Sequence, residues 1–167
     1  PWWSTAPATD PRMSQAFSTG HSPFGTDLRS AMIADADDVA RLLSELGYPC
    51  EIDDAAERID AIAANDRQAL VLARRDGAVC GLVALDFMYY LPLGTITCRV
   101  TALVVTPTAQ GLGIGRQLLK EAERRARTGG ASRIELTSGS QRTEAHAFYR
   151  ACGYKDSSVR FVKQLGA

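Results

Sequence analysis

The sequence predicts a single small α/β (α+β) domain, a mixed central sheet with helices packed on it, in the order β-α-α-β-β-β-α-β-α-β. Three observations lead there. The apolar period changes from helical to strand-like near residue 68 and back near residue 112. An Asp76-Gly77 dipeptide separates two apolar runs, the mark of a tight hairpin. A glycine-rich stretch over 110–115 joins a Thr- and Val-rich run to an amphipathic one, which reads as a strand–loop–helix junction. At 167 residues there is room for one ordinary domain and not two.

Residues 1–25 are rich in Pro, Ser, Thr and Gly and have no apolar period, so they read as a flexible tail with Met13 a candidate natural start. The domain is expected over 26–167. Leu28 to Ile33 reads as a short strand. Asp35 suits an N-cap, with Asp37 and Asp38 in the first turn, and Val39, Leu42, Leu43 and Leu46 follow at helical spacing up to Gly47. A second helix is expected from Asp53 to Ala64, with Ala55, Ile59 and Ile62 on one face. Gln68 to Arg74 and Ala78 to Met88 form the hairpin, Tyr89 to Gly94 with Pro92 the next turn, and Thr95 to Val105 a long strand. A helix from Leu112 to Arg127 closes at Gly129-Gly130. Arg133 to Thr137 is a strand, Thr143 to Ala151 a helix and Tyr154 to Leu165 a final strand.

Composition narrows the function. Nineteen basic residues balance nineteen acidic ones, so the basic excess of a dedicated nucleic-acid binder is absent. No apolar run reaches the roughly 18 residues of a membrane span, and the N-terminus carries no charged-then-apolar signal pattern. Cys50, Cys80, Cys98 and Cys152 are scattered without C-x-x-C spacing and read as reduced thiols of a cytoplasmic protein. With only His21 and His146, no histidine-rich metal site is expected.

The most informative stretch is Gln110-Gly111-Leu112-Gly113-Ile114-Gly115-Arg116, after Val104-Val105-Thr106-Pro107. Glycines at a helix N-terminus leave backbone N–H groups free, and the helix dipole adds partial positive charge, so the pattern suits a phosphate or pyrophosphate. Three phosphate loops compete. The P-loop needs Lys followed by Ser or Thr after the glycines, which is missing. The dinucleotide fingerprint needs a third glycine where Arg116 stands. The pattern Q/R-x-x-G-x-G/A, which grips the pyrophosphate of coenzyme A, fits completely.

At these residues the chain resembles the GNAT (GCN5-related N-acetyltransferase) superfamily. The loop, with Leu103-Val104-Val105 and Pro107 before it, matches one motif. Phe148-Tyr149 on a helix, then Gly153-Tyr154 opening the last strand, matches a second. Ile134-Glu135-Leu136-Thr137-Ser138 and Arg160-Phe161-Val162-Lys163 further resemble a small bacterial subgroup that includes the aminoalkylphosphonate N-acetyltransferases. The resemblance covers about Asp27 to Leu165 and implies a GNAT-like sheet of six to seven strands with about four helices.

The resemblance also implies a function, transfer of the acetyl group of acetyl-CoA to a primary amine by direct attack. Leu103, Val104 and Val105 would pair their main chain with the cofactor's pantetheine arm. Gln110, Gly111, Leu112, Gly113, Ile114, Gly115 and Arg116 would hold the pyrophosphate, and Arg142 stands where it reaches a CoA phosphate or is simply solvated. Tyr149 would be the catalytic residue, giving its proton to the departing sulfur. His146, on the same helix, reads as structural.

The base is where the pattern departs. Some relatives carry a glutamate on the long strand where this chain has Arg99, and arginine cannot act as a base. A water chain, Asp86, Glu135, or selection of the neutral amine stay open. Arg99 has two readings: a cross-strand ion pair with Asp86, or contact with an acidic group of the acceptor. The expected partner is therefore a small-molecule amine, one with an acidic group among the options, with no nucleic acid and no membrane; a homodimer stays open. Acetylation of protein lysines or N-termini, and a catalytically silent acyl-CoA sensor, are the alternatives. Tyr48, Tyr89 and Tyr90 are candidates to line the acceptor pocket.

Overall fold

The computed structural model describes residues 25–157 and 159–166. All of the expected N-terminal tail but Gly25 lies outside them. Five strands form one sheet: β1 (Thr26–Ser30), β2 (Gln68–Arg75), β3 (Ala78–Tyr90), β4 (Thr95–Val105) and β5 (Ala131–Leu136). Their order in space is their order in the chain. Neighbours are antiparallel up to β4, and β5 runs parallel to β4. The antiparallel pairs need only tight turns; Asp76 and Gly77 supply one at φ 51° and 84°, the left-handed pair that a two-residue hairpin of this twist requires. The parallel pair needs a crossover, and α3 (Ile114–Thr128) provides it.

Helices cover both faces. On one, α3 aligns Ile114, Leu118, Leu119, Ala122 and Ala126 in a buried stripe against Val71, Val83, Leu85, Cys98 and Val100. Its far end stops where Gly129 meets the sheet, since a Cβ there would lie 2.7 Å from the Phe87 ring. On the other face, α1 (Ala36–Glu45) and α2 (Ile52–Ala63) bury Val39, Leu42, Ala55 and Ile59 against Leu70, Leu72, Leu82 and Val104. Each fully buried Leu or Ile adds about 1.5–3 kcal/mol, so both layers are held chiefly by burial. The short helix α4 (Thr143–Ala151) lays Phe148 and Tyr149 against the α3 side of the core.

An irregularity in β4 positions the site. Leu85 pairs with Val100 but Ala84 pairs with Ala102, so Thr101 is an extra residue. Before it, Cys98 and Val100 face α3; after it, Leu103 and Val105 do. Thr97 and Arg99 therefore lie on the α1/α2 face, Thr97 buried and Arg99 partly exposed.

The element order agrees with expectation through α4, with four corrections. The first strand is Thr26–Ser30 and not Leu28 to Ile33, because the chain turns into a short 3-10 helix at Ile33–Asp35. The expected final strand from Tyr154 to Leu165 is absent among the described residues. Phe161 and Leu165 are 92% and 90% exposed, and β-propensity is expressed only against a partner strand. The sheet thus has five described strands rather than six to seven. Helix α3 begins at Ile114 and not Leu112, because Gly113 adopts φ 79°, a left-handed conformation outside the helix. Asp35 precedes α1 as expected, but its carboxylate makes no cap bond to the helix. It accepts two bonds from Arg29, at 2.6 and 2.7 Å, and one from the Met32 N–H at 2.8 Å. A nearby guanidinium outbid the helix terminus for that carboxylate.

Candidate active site

Strands β4 and β5 part at the end of β5. They pair from Ile96 to Val100, and beyond that β4 pairs with β3 alone. Among the described residues the β5-side edge of β4 carries no ladder from Thr101 to Val105, so the main-chain groups on that side face an open fork. Leu103 and Val105 keep their side chains against the α3 core, and Val104 is buried on the opposite face. Main chain for a ligand and side chains for the core coexist here.

The fork leads into the glycine loop. Gly111 and Gly113 have φ 78° and 79°, and a Cβ built on either meets nothing within 4 Å. Their need for glycine comes from backbone conformation, and the space beside them is open. Gly113 occupies the N-cap of α3 and supplies no side chain. The first backbone bond of the helix runs from Gln117 N to Gly113 O, at 3.1 Å. Among the described residues, no acceptor takes the N–H groups of residues 111–116. Uncapped donors at a helix N-terminus, with room before them, fit an anion. Gly115 has a different reason to be glycine: a Cβ would stand 3.2 Å from Phe148 Cζ, so it lets α4 approach α3. Gln110 Nε2 donates to Val105 O at 3.0 Å, which ties the loop back to the strand end. The Arg116 guanidinium reaches the Ala151 carbonyl at 3.5 Å, at the C-terminus of α4. Its backbone N–H remains with the loop.

Tyr149 is half-buried on α4, with ring centroids 5.4 Å from Phe148 and 6.2 Å from Tyr154. Burial pushes its phenol above the ordinary value, against an opposing pull from Arg142, so the group keeps its proton. Arg142 is exposed at the N-cap of α4. His146 Nε2 lies 3.0 Å from Gly139 O and holds the preceding loop to α4, the structural part expected of it.

On the α1/α2 face, one polar row crosses the sheet. Gln68 pairs in register with Asp86, Asp86 with Arg99, and Arg99 with Glu135. The register between Asp86 and Arg99 is the expected one, but the ion pair is not. Arg99 Nε donates to Glu135 Oε1 at 2.9 Å, and its NH2 makes a second bond to the same oxygen. Asp86 instead accepts a long bond from Gln68 Nε2, at 3.4 Å. The parallel strand brings Glu135 beside Arg99, and that neighbour was not in the hairpin reading. Arg133, which sequence reasoning missed, completes the group. Its NH2 is 3.0 Å from Glu135 Oε2, its Nε donates to Thr97 Oγ1 at 3.1 Å, and its guanidinium lies 4.2 Å over the Tyr90 ring. The available signal was that Arg133 and Glu135 alternate on one strand and so share a face.

Of the other expected residues, Tyr48 and Tyr89 are exposed. All four cysteines are free thiols, and burial pushes Cys98 up to about 11, which leaves it inert. Among the described residues no three His, Cys, Asp or Glu side chains converge as a metal site. No described helix is long and apolar enough to cross a membrane. A depression lined by Asp38, Arg41, Arg75 and Thr106 on the β3 side of β4 runs up to Thr108, Ala109 and Leu112, beside the glycine loop. Arg41 is spent there on Asp38, Glu45 and Val79 O.

Comparison with known proteins joins these parts. A family model described as the acetyltransferase (GNAT) family matches residues 36–154. The aminoalkylphosphonate N-acetyltransferase of Salmonella typhimurium is 40% identical over 142 residues, 83% of this chain and 91% of that one. The aminoglycoside N(6')-acetyltransferase type 1 of Stenotrophomonas maltophilia is 31% identical over 134 residues, 78% of this chain and 86% of that one. Among solved structures, an aminoglycoside N-acetyltransferase in complex with CoA superposes with a TM-score of 0.76 at 17% identity, covering 84% of this chain and 95% of that one.

Proposed function

The chain belongs to the GNAT acetyltransferase family and is an N-acetyltransferase; from that premise we propose that it takes its acetyl group from acetyl-CoA and passes it to the primary amine of a small molecule bearing an acidic group. The observation that carries the cofactor half is the fork, where an unladdered strand edge runs directly into uncapped helix N–H groups. Leu103 and Val105 offer main-chain groups to the pantetheine arm, with Val104 between them bonded to β3. The N–H groups of Gly111 to Arg116 hold the pyrophosphate, with Gln110 fixing the loop and Arg142 within reach of a further phosphate.

In this reading the bound cofactor supplies an activated thioester carbonyl at the fork. Tyr149, a phenol that holds its proton at neutral pH and whose burial strengthens that hold, donates it to the sulfur as the carbon–sulfur bond breaks. The polar row receives the acceptor. Arg99 and Arg133 present two planar guanidiniums suited to a phosphonate, phosphate or carboxylate, and such an acceptor offsets the repulsion that a bare ammonium would meet. A cytoplasmic site of action fits the four free thiols.

The test is release of free CoA thiol by the purified chain from acetyl-CoA and a panel of amines. Amines with a nearby acidic group are expected to exceed matched uncharged amines in kcat/KM. No thiol release with any amine, at saturating acetyl-CoA, refutes the proposal.

A further inference from the structure

We infer that Glu135 is the movable anion of a two-arginine acceptor site: its carboxylate pairs Arg99 and Arg133 here, yields them to the acceptor's acidic group, and then takes the amine's proton. The inference rests on the acceptor reading above and goes beyond it by assigning the proton.

The geometry divides one carboxylate between two cations. Glu135 Oε1 accepts from Arg99 and Oε2 lies 3.0 Å from Arg133 NH2. Two guanidiniums converge on the one Glu135 carboxylate, with Asp86 next in the row beyond Arg99, and a phosphonate has oxygens enough to meet both guanidiniums where Glu135 has one for each. The Arg133 guanidinium is also seated by partners other than Glu135. It lies over the Tyr90 ring at 4.2 Å and is bonded to Thr97 Oγ1. That half of the site therefore persists when the carboxylate leaves. Arg99, Glu135 and Arg133 side chains are 42%, 29% and 38% exposed, so an incoming solute reaches them, and ion pairs this exposed are weak enough to exchange.

Position supplies the second half of the argument. Glu135 is the penultimate residue of β5, and Leu136 is the last to pair with β4. Its row is thus about one residue rise, roughly 3.3 Å, from the point where the strands part. A carboxylate bonded to two guanidiniums has both oxygens engaged; one released from them has both free to accept a bond from the acceptor's ammonium. Acceptor binding therefore frees the carboxylate at the moment it is needed. The nitrogen loses two protons overall. The first passes from the ammonium to the freed Glu135 carboxylate and then to solvent. The nitrogen lone pair then forms the C–N bond, the C–S pair goes to sulfur, and sulfur takes the Tyr149 proton. The second nitrogen proton replaces the one Tyr149 gave. The products are the amide, CoA thiol and one solvent proton.

The experiment uses the full chain with Glu135→Gln, which keeps the shape and one acceptor oxygen but removes the charge and turns the second oxygen into a donor. Calorimetric titration with ethylphosphonate, which has no amine, should show binding about 3- to 10-fold tighter than in the parent, because the competing anion is gone. Turnover of 2-aminoethylphosphonate should fall roughly 100-fold in kcat, with acetyl-CoA affinity unchanged. A merely structural Glu135 predicts the reverse for ethylphosphonate, since the arginines would lose their anchor. Weaker or equal ethylphosphonate binding, or undiminished kcat, overturns the inference. Glu135→Asp, with the charge on a shorter arm, should fall between the two proteins in both readouts, and a value outside that interval also counts against it. If the parent turns over 2-aminoethylphosphonate and Glu135→Gln changes nothing, the acceptor reading stands and Glu135 alone is wrong. If the parent acetylates no amine, both fall.

Discussion

Replacing Gly113 with alanine separates a loop that binds from a loop that merely turns. Gly113 has φ 79°, and a Cβ there meets nothing within 4 Å. In the free protein the methyl therefore costs only backbone strain, about 1–2 kcal/mol for a left-handed alanine. Gly130, just beyond the other end of α3, is a matched control, with φ 74° and the same open surroundings. Gly113→Ala and Gly130→Ala should lower Tm by similar amounts, about 3–8 °C. They should differ once acetyl-CoA is present. At a concentration 100 times the parent's Kd, ligand stabilises the parent by about 2.7 kcal/mol. If the methyl intrudes on the pyrophosphate and weakens binding about 100-fold, that gain falls to about 0.4 kcal/mol. Thermal scans with and without acetyl-CoA, calibrated by calorimetric titration, read the difference. Gly130→Ala should keep the full ligand-induced shift and Gly113→Ala should lose most of it. Equal shifts in the two variants would refute the assignment of the loop to the cofactor.

Three further outcomes are expected. Tyr149→Phe should lower kcat by about 10- to 1,000-fold with acetyl-CoA affinity unchanged, read by thiol release and by titration; unaltered turnover would make Tyr149 a packing residue only. Arg99→Gln should abolish the preference for an acidic amine over a matched uncharged one in kcat/KM, and a preference retained in full would assign acceptor recognition elsewhere. Asp35→Asn should destabilise the fold by about 1–2 kcal/mol at neutral pH, because it breaks a partly buried bidentate pair with Arg29. The Arg29 bonds hold the Asp35 carboxyl below its ordinary 3.8, so its contribution is present above that value and is lost as pH falls through the lower folded value. The stability gap between parent and variant, followed by denaturant titration, should therefore close in acid; a gap constant down to pH 2 contradicts the linkage.

The sequence carried the fold wherever local patterning and tertiary environment agree. Thr95–Val105 and Thr143–Ala151 have the expected bounds, and the Asp76-Gly77 hairpin has the expected conformation. The last strand failed because a run such as Val159 to Leu165 shows propensity without showing a partner. The bounds of α3 shifted because loop glycines suit a helix start and a left-handed turn alike, and only the φ value of Gly113 decides. The polar row shows the same limit one level up. Antiparallel register follows from a short turn, so Asp86 opposite Arg99 was legible. The parallel register of β5 depends on the length and docking of a whole helix, so Glu135 beside Arg99, and Arg133 with it, was not.

The extra residue Thr101 splits β4 into two tandem segments of opposite phase. The segment before it shows Thr97 and Arg99 to the α1/α2 face, the proposed acceptor side, and the segment after it leaves its edge bare for the proposed cofactor. A single-residue deletion at Thr101 would set Val100 beside Ala102 against Leu85 and Ala84, a regular ladder that keeps Arg99 on the α1/α2 face. What it would remove is the local bend and added twist that the extra residue gives the strand. The two halves of the strand are thus free to vary in chemistry independently, and the spacer sets the angle between them. In the proposed reading, substitutions upstream of Thr101 would retune which amine is accepted, and deleting Thr101 would straighten the strand and change the angle at which acceptor and cofactor meet.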